Sequence, residues 1–175
     1  MCHNLGADQS LDPDVPVEGI HGNYYQWGKK DAYANTSAIY GAWSRTPAAD
    51  GTWSDDSKTS RDPCPAGYRV PTENQWYGVA NYNTAFRTGS WADDGNFTTA
   101  LHFGPDAGTK TLTLPATGFR DHIDAAVWNR GAEGYYWSST VSYTDAWAYR
   151  CQSSIASSGA TTSRASGSSV RCISE

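Results

Sequence analysis

Apolar and polar residues alternate over four short stretches: GNYYQWG at Gly22–Gly28, TLTLPATG at Thr111–Gly118, GYYWSST at Gly134–Thr140 and SSVRCIS at Ser168–Ser174. A period of two marks a strand with one buried face, and Gly, Pro, Asn or Asp bounds each stretch, as strand ends require. The period changes at PTENQWYGVANY. There Thr72 can cap a helix with Gln75 three residues on, which places Trp76, Val79 and Ala80 on one face. A weaker helical pattern covers Asn96–Phe103. The polar segments Ala32–Asp62 and Ala85–Asn96 read as ordered loops, because Trp43, Trp53 and Trp91 punctuate them and a disordered linker does not spend tryptophan this way. Between Arg150 and Val170 nearly every residue is Ser, Ala, Thr or Gly. Such composition usually marks a linker, yet Cys151 and Cys172 bound it. These patterns predict one α+β domain over residues 1–175, with a small twisted antiparallel sheet, one or two helices and long ordered loops.

The apolar share is only 38%, but 13% of residues are aromatic, with 8 Trp and 11 Tyr. Aromatic rings bury large areas, so a few of them can build the core that aliphatics do not supply. The net charge of -5 is spread without a basic patch. Nucleic acid is therefore excluded as a partner, since phosphate contacts need clustered Lys and Arg. No apolar run is long enough to span a bilayer, so no membrane insertion is expected. No signal peptide is visible at Met1, where a polar stretch follows directly, and this says nothing about export.

The cysteines at 2, 64, 151 and 172 show no CxxC spacing, so no zinc site is expected. Three states stay open for them: two disulfides in an extracellular domain, free buried thiols, or a reactive cysteine. His3, His21, His102 and His122 are scattered, and no metal or other cofactor is expected.

Six blocks in order, CHNLGAD, GNYYQWGKK, DPCPAGYRVPTENQW, LPATGFRD, GYYWSST and SVRCISE, resemble the Fibrobacter succinogenes major paralogous domain family. The resemblance covers nearly the whole chain. It implies a C-type-lectin-like fold and a module of a bacterial surface, a secreted protein or a phage tail. In this fold the last strand is commonly tied to the region of the first helix, which implies a Cys64–Cys172 disulfide. YRVPTENQW and the AYRC…VRC ending are also distantly similar to formylglycine-generating enzymes. Their active site uses two cysteines five residues apart; Cys151 matches the second, but Ala146 stands at the first. The sugar-binding lectins of this fold carry EPN or QPD with WND, and this chain has only WNR at Trp128–Arg130.

The fold also hosts the variable proteins of diversity-generating retroelements. In these, adenine mutagenesis of a C-terminal segment cannot produce Lys, Glu, Gln, Met or Trp from the pyrimidine-ending Asn codons it targets. None of those five residues occurs from Ser153 to Ser174. The resemblance thus implies a ligand- or receptor-binding module with a variable surface at about 135–171. The candidate contact residues are Tyr143, Asp145, Trp147, Tyr149, Arg150, Ser153, Ser157, Thr161, Ser163, Ser166 and Ser168. Tyr143, Asp145, Trp147 and Tyr149 share one face if the strand continues past Thr140. Trp27, Trp76, Phe119, Trp137, Val170 and Ile173 are the expected scaffold, with Arg164 and Arg171 as structural donors. The expected partner is a protein or glycan receptor on a cell surface. A non-variable adhesin or structural subunit is the alternative, and an oxidase of the formylglycine-generating type the third reading.

Overall fold

The structure, a computed structural model, describes residues 1–38 and 43–175. After a 3-10 turn at Glu18–Ile20 come β1 (Tyr24–Gln26), β2 (Ala32–Tyr33) and β3 (Tyr68–Arg69). The helix α1 (Glu73–Tyr82) follows, then β4 (Ala85–Thr88), β5 (Ala100–Phe103), β6 (Leu112–Pro115), β7 (Phe119–Arg120) and β8 (Val127–Trp128). The last third holds β9 (Glu133–Ser142), β10 (Asp145–Gln152), β11 (Ala156–Ser163), β12 (Gly167–Ser169) and β13 (Ile173–Ser174). This is an α+β protein, mostly sheet, with one α-helix among the described residues. No helix among them is long and apolar enough to cross a membrane.

The main sheet is larger than the alternation pattern implied, and it is not purely antiparallel. Its order is β11-β10-β9-β12-β1-β2, with β7 and β8 attached through β12. β12 lies parallel to β9, pairing Ser169 with Tyr136, and antiparallel to β1. Two small sheets complete the fold, β13-β3 and β4-β5-β6.

α1 forms as its sequence predicts. The Thr72 hydroxyl accepts from the Gln75 amide, and the Gln75 side chain accepts from the Thr72 amide. Trp76 is buried, with Val79 and Ala80 packed beside it. Four other expectations fail. Asn96–Phe103 is no helix: Ala100–Phe103 is β5, paired on both edges and buried at every residue. A short apolar run buried on both faces carries no period that separates helix from strand. The supposed loops Ala32–Asp62, whose residues 39–42 lie outside the described ones, and Ala85–Asn96 open with β2 and β4, and Ser168–Ser174 breaks at Val170–Cys172 into strands of two different sheets.

The main sheet is buried on both faces. Trp27, Trp53, Trp137, Ala146, Ala148 and Val170 pack on one side. Trp76, Leu101, Phe103, Leu114, Tyr136, Tyr149 and Cys151 pack on the other, beneath α1. Indole N–H groups are costly to bury unpaired, and those nearest the sheet find carbonyls. Trp137 donates to Tyr25 O at 2.7 Å, Trp27 to Ser138 O at 3.0 Å and Trp76 to Trp137 O at 3.1 Å. A Cys64–Cys172 disulfide, with Cα atoms 5.9 Å apart, ties the approach to α1 to the end of the chain. Cys2 and Cys151 are free thiols, so the two-disulfide state does not form.

The small residues near the C-terminus now have a physical reason. β12 threads between β1 and β9, and a Cβ on Gly167 would lie 2.8 Å from Trp43 Cη2 and 3.1 Å from Arg120 Cβ. Ala165, Ser166, Ser168 and Ser169 are all buried. Large neighbours demand small side chains here.

Candidate functional site

The bland segment is not a linker: it begins with Ala156–Ser163, an eight-residue strand at the edge of the main sheet. β10 alternates regularly beside it. Ala146 and Ala148 enter one core, whereas Asp145, Trp147, Tyr149 and Cys151 point to the helix side. The four-residue face expected from alternation does not form, because the chain reverses at Tyr143 and Thr144 between β9 and β10; only Asp145, Trp147 and Tyr149 alternate along β10, and Trp76 of α1 covers Tyr149. Tyr149 is fully buried and stacks on Trp76 at 4.9 Å, so it is no surface residue. Its hydroxyl finds no hydrogen-bond partner among the described residues.

Beyond the N-terminus of α1 the face opens. Trp147 pairs across the strands with Thr161 and Asp145 with Ser163; Thr161 is exposed and the other three are partly exposed. Tyr143, at the tip of the β9–β10 hairpin, is 96% exposed. The backbone holds these side chains in place. β11 bonds to β10 through its main chain, and the Ser158 hydroxyl donates to Glu73 Oε1 of α1 at 2.7 Å.

The hairpin tip is clamped from below by Arg164, which is 3% exposed. Its guanidinium donates to Tyr143 O at 2.6 Å, Asp145 O at 2.9 Å and Ala48 O at 3.0 Å. It pairs with Asp50 at 2.6 Å and lies over the Trp27 ring at 4.8 Å. Tyr143 sits in the left-handed region, φ 52°. That conformation is uncommon for an aromatic residue and needs surrounding structure to hold it. The Arg164 bond to its carbonyl supplies that hold. Sequence reading identified Arg164 as a structural donor but not the tip as its target, since nothing local to an Arg among Ser and Ala names its acceptors.

The remaining candidates lie elsewhere. Arg150 faces the opposite side at the far end of β10. It pairs with Glu133 at 2.6 Å and lies over the Tyr135 ring at 5.6 Å. The hydrogen bond from Arg150 to Glu133 holds the guanidinium pKa above its ordinary value, while burial raises Tyr135 to about 12. Ser157 is the cross-strand neighbour of Arg150, and Ser153 lies in the exposed turn after β10. Ser166 and Ser168 are buried at 2% and 0% exposure, so like Tyr149 they cannot touch a ligand. Of the expected scaffold, Trp27, Trp76, Trp137 and Val170 are buried, while Phe119 and Ile173 are only half-buried.

Cys151 is packed against Tyr136 and Tyr149, and burial pushes its thiol up to about 12. It is protonated at neutral pH. Among the described residues no cluster of His, Cys, Asp or Glu could hold a metal ion.

Fold and site together define a small α+β protein with a partly exposed two-stranded shelf and an exposed aromatic tip. A family model described as a domain of unknown function, DUF8237, matches residues 105–173. That match spans β6 to β13, the part of the chain holding the shelf and its clamp. No curated protein and no solved structure matches the chain.

Proposed function

We propose that this protein is a binding module that displays the shelf Tyr143, Asp145, Trp147, Thr161 and Ser163 to a receptor on a cell surface. The carrying observation is the division of labour in the last third of the chain. Aromatic and small polar side chains are exposed on strands whose positions depend on backbone bonds and on Arg164, not on those side chains. Such a surface can change without unfolding its support, and exposed Tyr and Trp among Ser and Thr combine anchoring area with adaptable hydrogen bonding. The scaffold is C-type-lectin-like, and the shelf is the variable surface of a diversity-generating retroelement protein, on a phage tail or a bacterial exterior. The Cys64–Cys172 disulfide fits an extracellular or virion setting. Variation is confined to the shelf and excludes Tyr149 and 164–171, which are core.

The test is selection from a library randomised at the five shelf positions, with hen lysozyme as an unrelated target protein. Recovery of binders whose affinity vanishes when the wild-type shelf is restored supports the reading. A folded library that yields no binder to lysozyme or to a panel of further proteins and glycans overturns it, in favour of a non-variable structural subunit.

A further inference from the structure

A cavity of about 360 Å³ lies between α1, β6 and the β3–β13 pair, and none of the five shelf residues lines it. Its apolar wall includes Trp76, Val79, Leu112 and Ile173, with Tyr68 and Gln75 as polar members. Arg171 also lines it. This volume falls in the range of small-molecule sites, about 300–1,000 Å³, and apolar walls with a few polar groups are their usual make-up.

Arg171 is the unusual member. It is only 5% exposed, yet every acceptor it uses is a neutral oxygen. Nε donates to Asn4 Oδ1 at 3.0 Å, Nη1 to Cys2 O and Nη2 to Thr113 O. No carboxylate among the described residues forms an ion pair with it. The nearby Asp14 accepts instead from the Thr113 hydroxyl at 2.7 Å. A guanidinium carries five N–H bonds, so each terminal nitrogen retains one without an acceptor among the described residues. Buried charges are ordinarily paired, because an uncompensated cation in a low-dielectric site is costly. Burial lowers Arg171 only to about 10, so it remains cationic at neutral pH.

We infer that this cavity binds a small amphipathic carboxylate, its hydrocarbon part against Trp76, Val79, Leu112 and Ile173 and its carboxylate paired with Arg171. A planar carboxylate matches the paired terminal N–H groups of a guanidinium. A neutral ligand of the same shape would leave the buried charge uncompensated. This site is independent of the receptor-binding shelf.

The test is titration of the folded protein with octanoate and, in parallel, 1-octanol, followed by calorimetry and by the total tryptophan fluorescence, to which Trp76 at the cavity wall contributes. Octanoate is expected to saturate one site and to bind at least about tenfold tighter than 1-octanol, a difference of about 1.4 kcal/mol. Val79→Trp fills the cavity from the helix side and leaves Arg171 intact, so it tests the site without removing a buried scaffold charge. It is expected to abolish octanoate binding while the thermal transition stays cooperative. Ser174→Glu, at the rim, is expected to weaken octanoate at least fivefold and to leave 1-octanol unchanged. Absence of saturable octanoate binding, equal affinity for 1-octanol, or undiminished binding in a folded Val79→Trp protein would overturn the inference.

Discussion

Two tyrosines of the same core differ in the hydrogen bonding of their hydroxyls, and that difference fixes opposite responses to losing the hydroxyl. Tyr136 Oη donates to Pro115 O at 2.6 Å and accepts from Asn4 at 3.3 Å. Tyr149 Oη is buried without a partner among the described residues. An unsatisfied buried hydroxyl is a standing cost, whereas a satisfied one contributes roughly 1 kcal/mol. Tyr149→Phe should therefore be neutral or stabilising in urea unfolding, and Tyr136→Phe should cost about 1 kcal/mol, the worth of its own bonds, because the Pro115 carbonyl still accepts from the Thr117 amide at 2.9 Å. At Gly167 even a methyl group meets Trp43 and the Arg120 stem, so Gly167→Ala should cost about 1–3 kcal/mol. Thr161→Ala, on the exposed shelf, should stay within about 0.5 kcal/mol. These contrasts were only partly legible in the sequence. Trp27, Trp76 and Trp137 declared themselves as core by size, but Ser166 and Ser168 look like surface residues in any reading of composition. Only the neighbours that crowd β12 reveal them as interior.

Local elements were read well where the signal lies in a few consecutive residues. The capping box at Thr72 and Gln75 specified where α1 begins, and Thr72→Ala should cost about 0.5–2 kcal/mol in the same unfolding assay. β5 was missed because both its faces are buried, which erases alternation, and β11 because Ser, Ala, Thr and Gly carry none. What makes Ala156–Ser163 a strand is pairing to β10 on one side and the Ser158–Glu73 bond to α1 on the other, both contacts at long sequence range. The hairpin tip obeys the same logic. Replacing Arg164 by Ala removes donors to Tyr143 O, Asp145 O and Ala48 O and leaves Asp50 unpaired. Asp50 is 76% exposed and is left in water, so the cost comes from the three carbonyls that lose their donor, about 1–3 kcal/mol. Proton exchange at the Tyr143 and Thr144 amides should accelerate before global unfolding does. Unchanged exchange at the tip would show that the turn holds itself.

At the scale of the whole molecule, the Cys64–Cys172 bridge closes a loop with a sequence separation of 108, and its reduction should cost about 2–5 kcal/mol. Acid sensitivity has a separate source. Burial lowers His21 and His102 from 6.5 to about 4. The unfolded chain therefore binds more protons than the native one between these values. The stabilising contribution is fully present above about pH 6.5 and is lost as pH falls toward 4. The melting temperature should drop between pH 7 and pH 4.5, and the drop should shrink in His102→Gln; an equal drop in that variant would place the effect elsewhere. The scaffold's capacity to carry a changing shelf is the claim on which the functional reading depends. It is tested most directly by comparing two displayed libraries for the fraction of members that fold, one randomised at Tyr143, Asp145, Trp147, Thr161 and Ser163, the other at Tyr149, Ser166 and Ser168. The account predicts that most members of the first library fold and few of the second do. Equal tolerance in both, or collapse of the first, would contradict it.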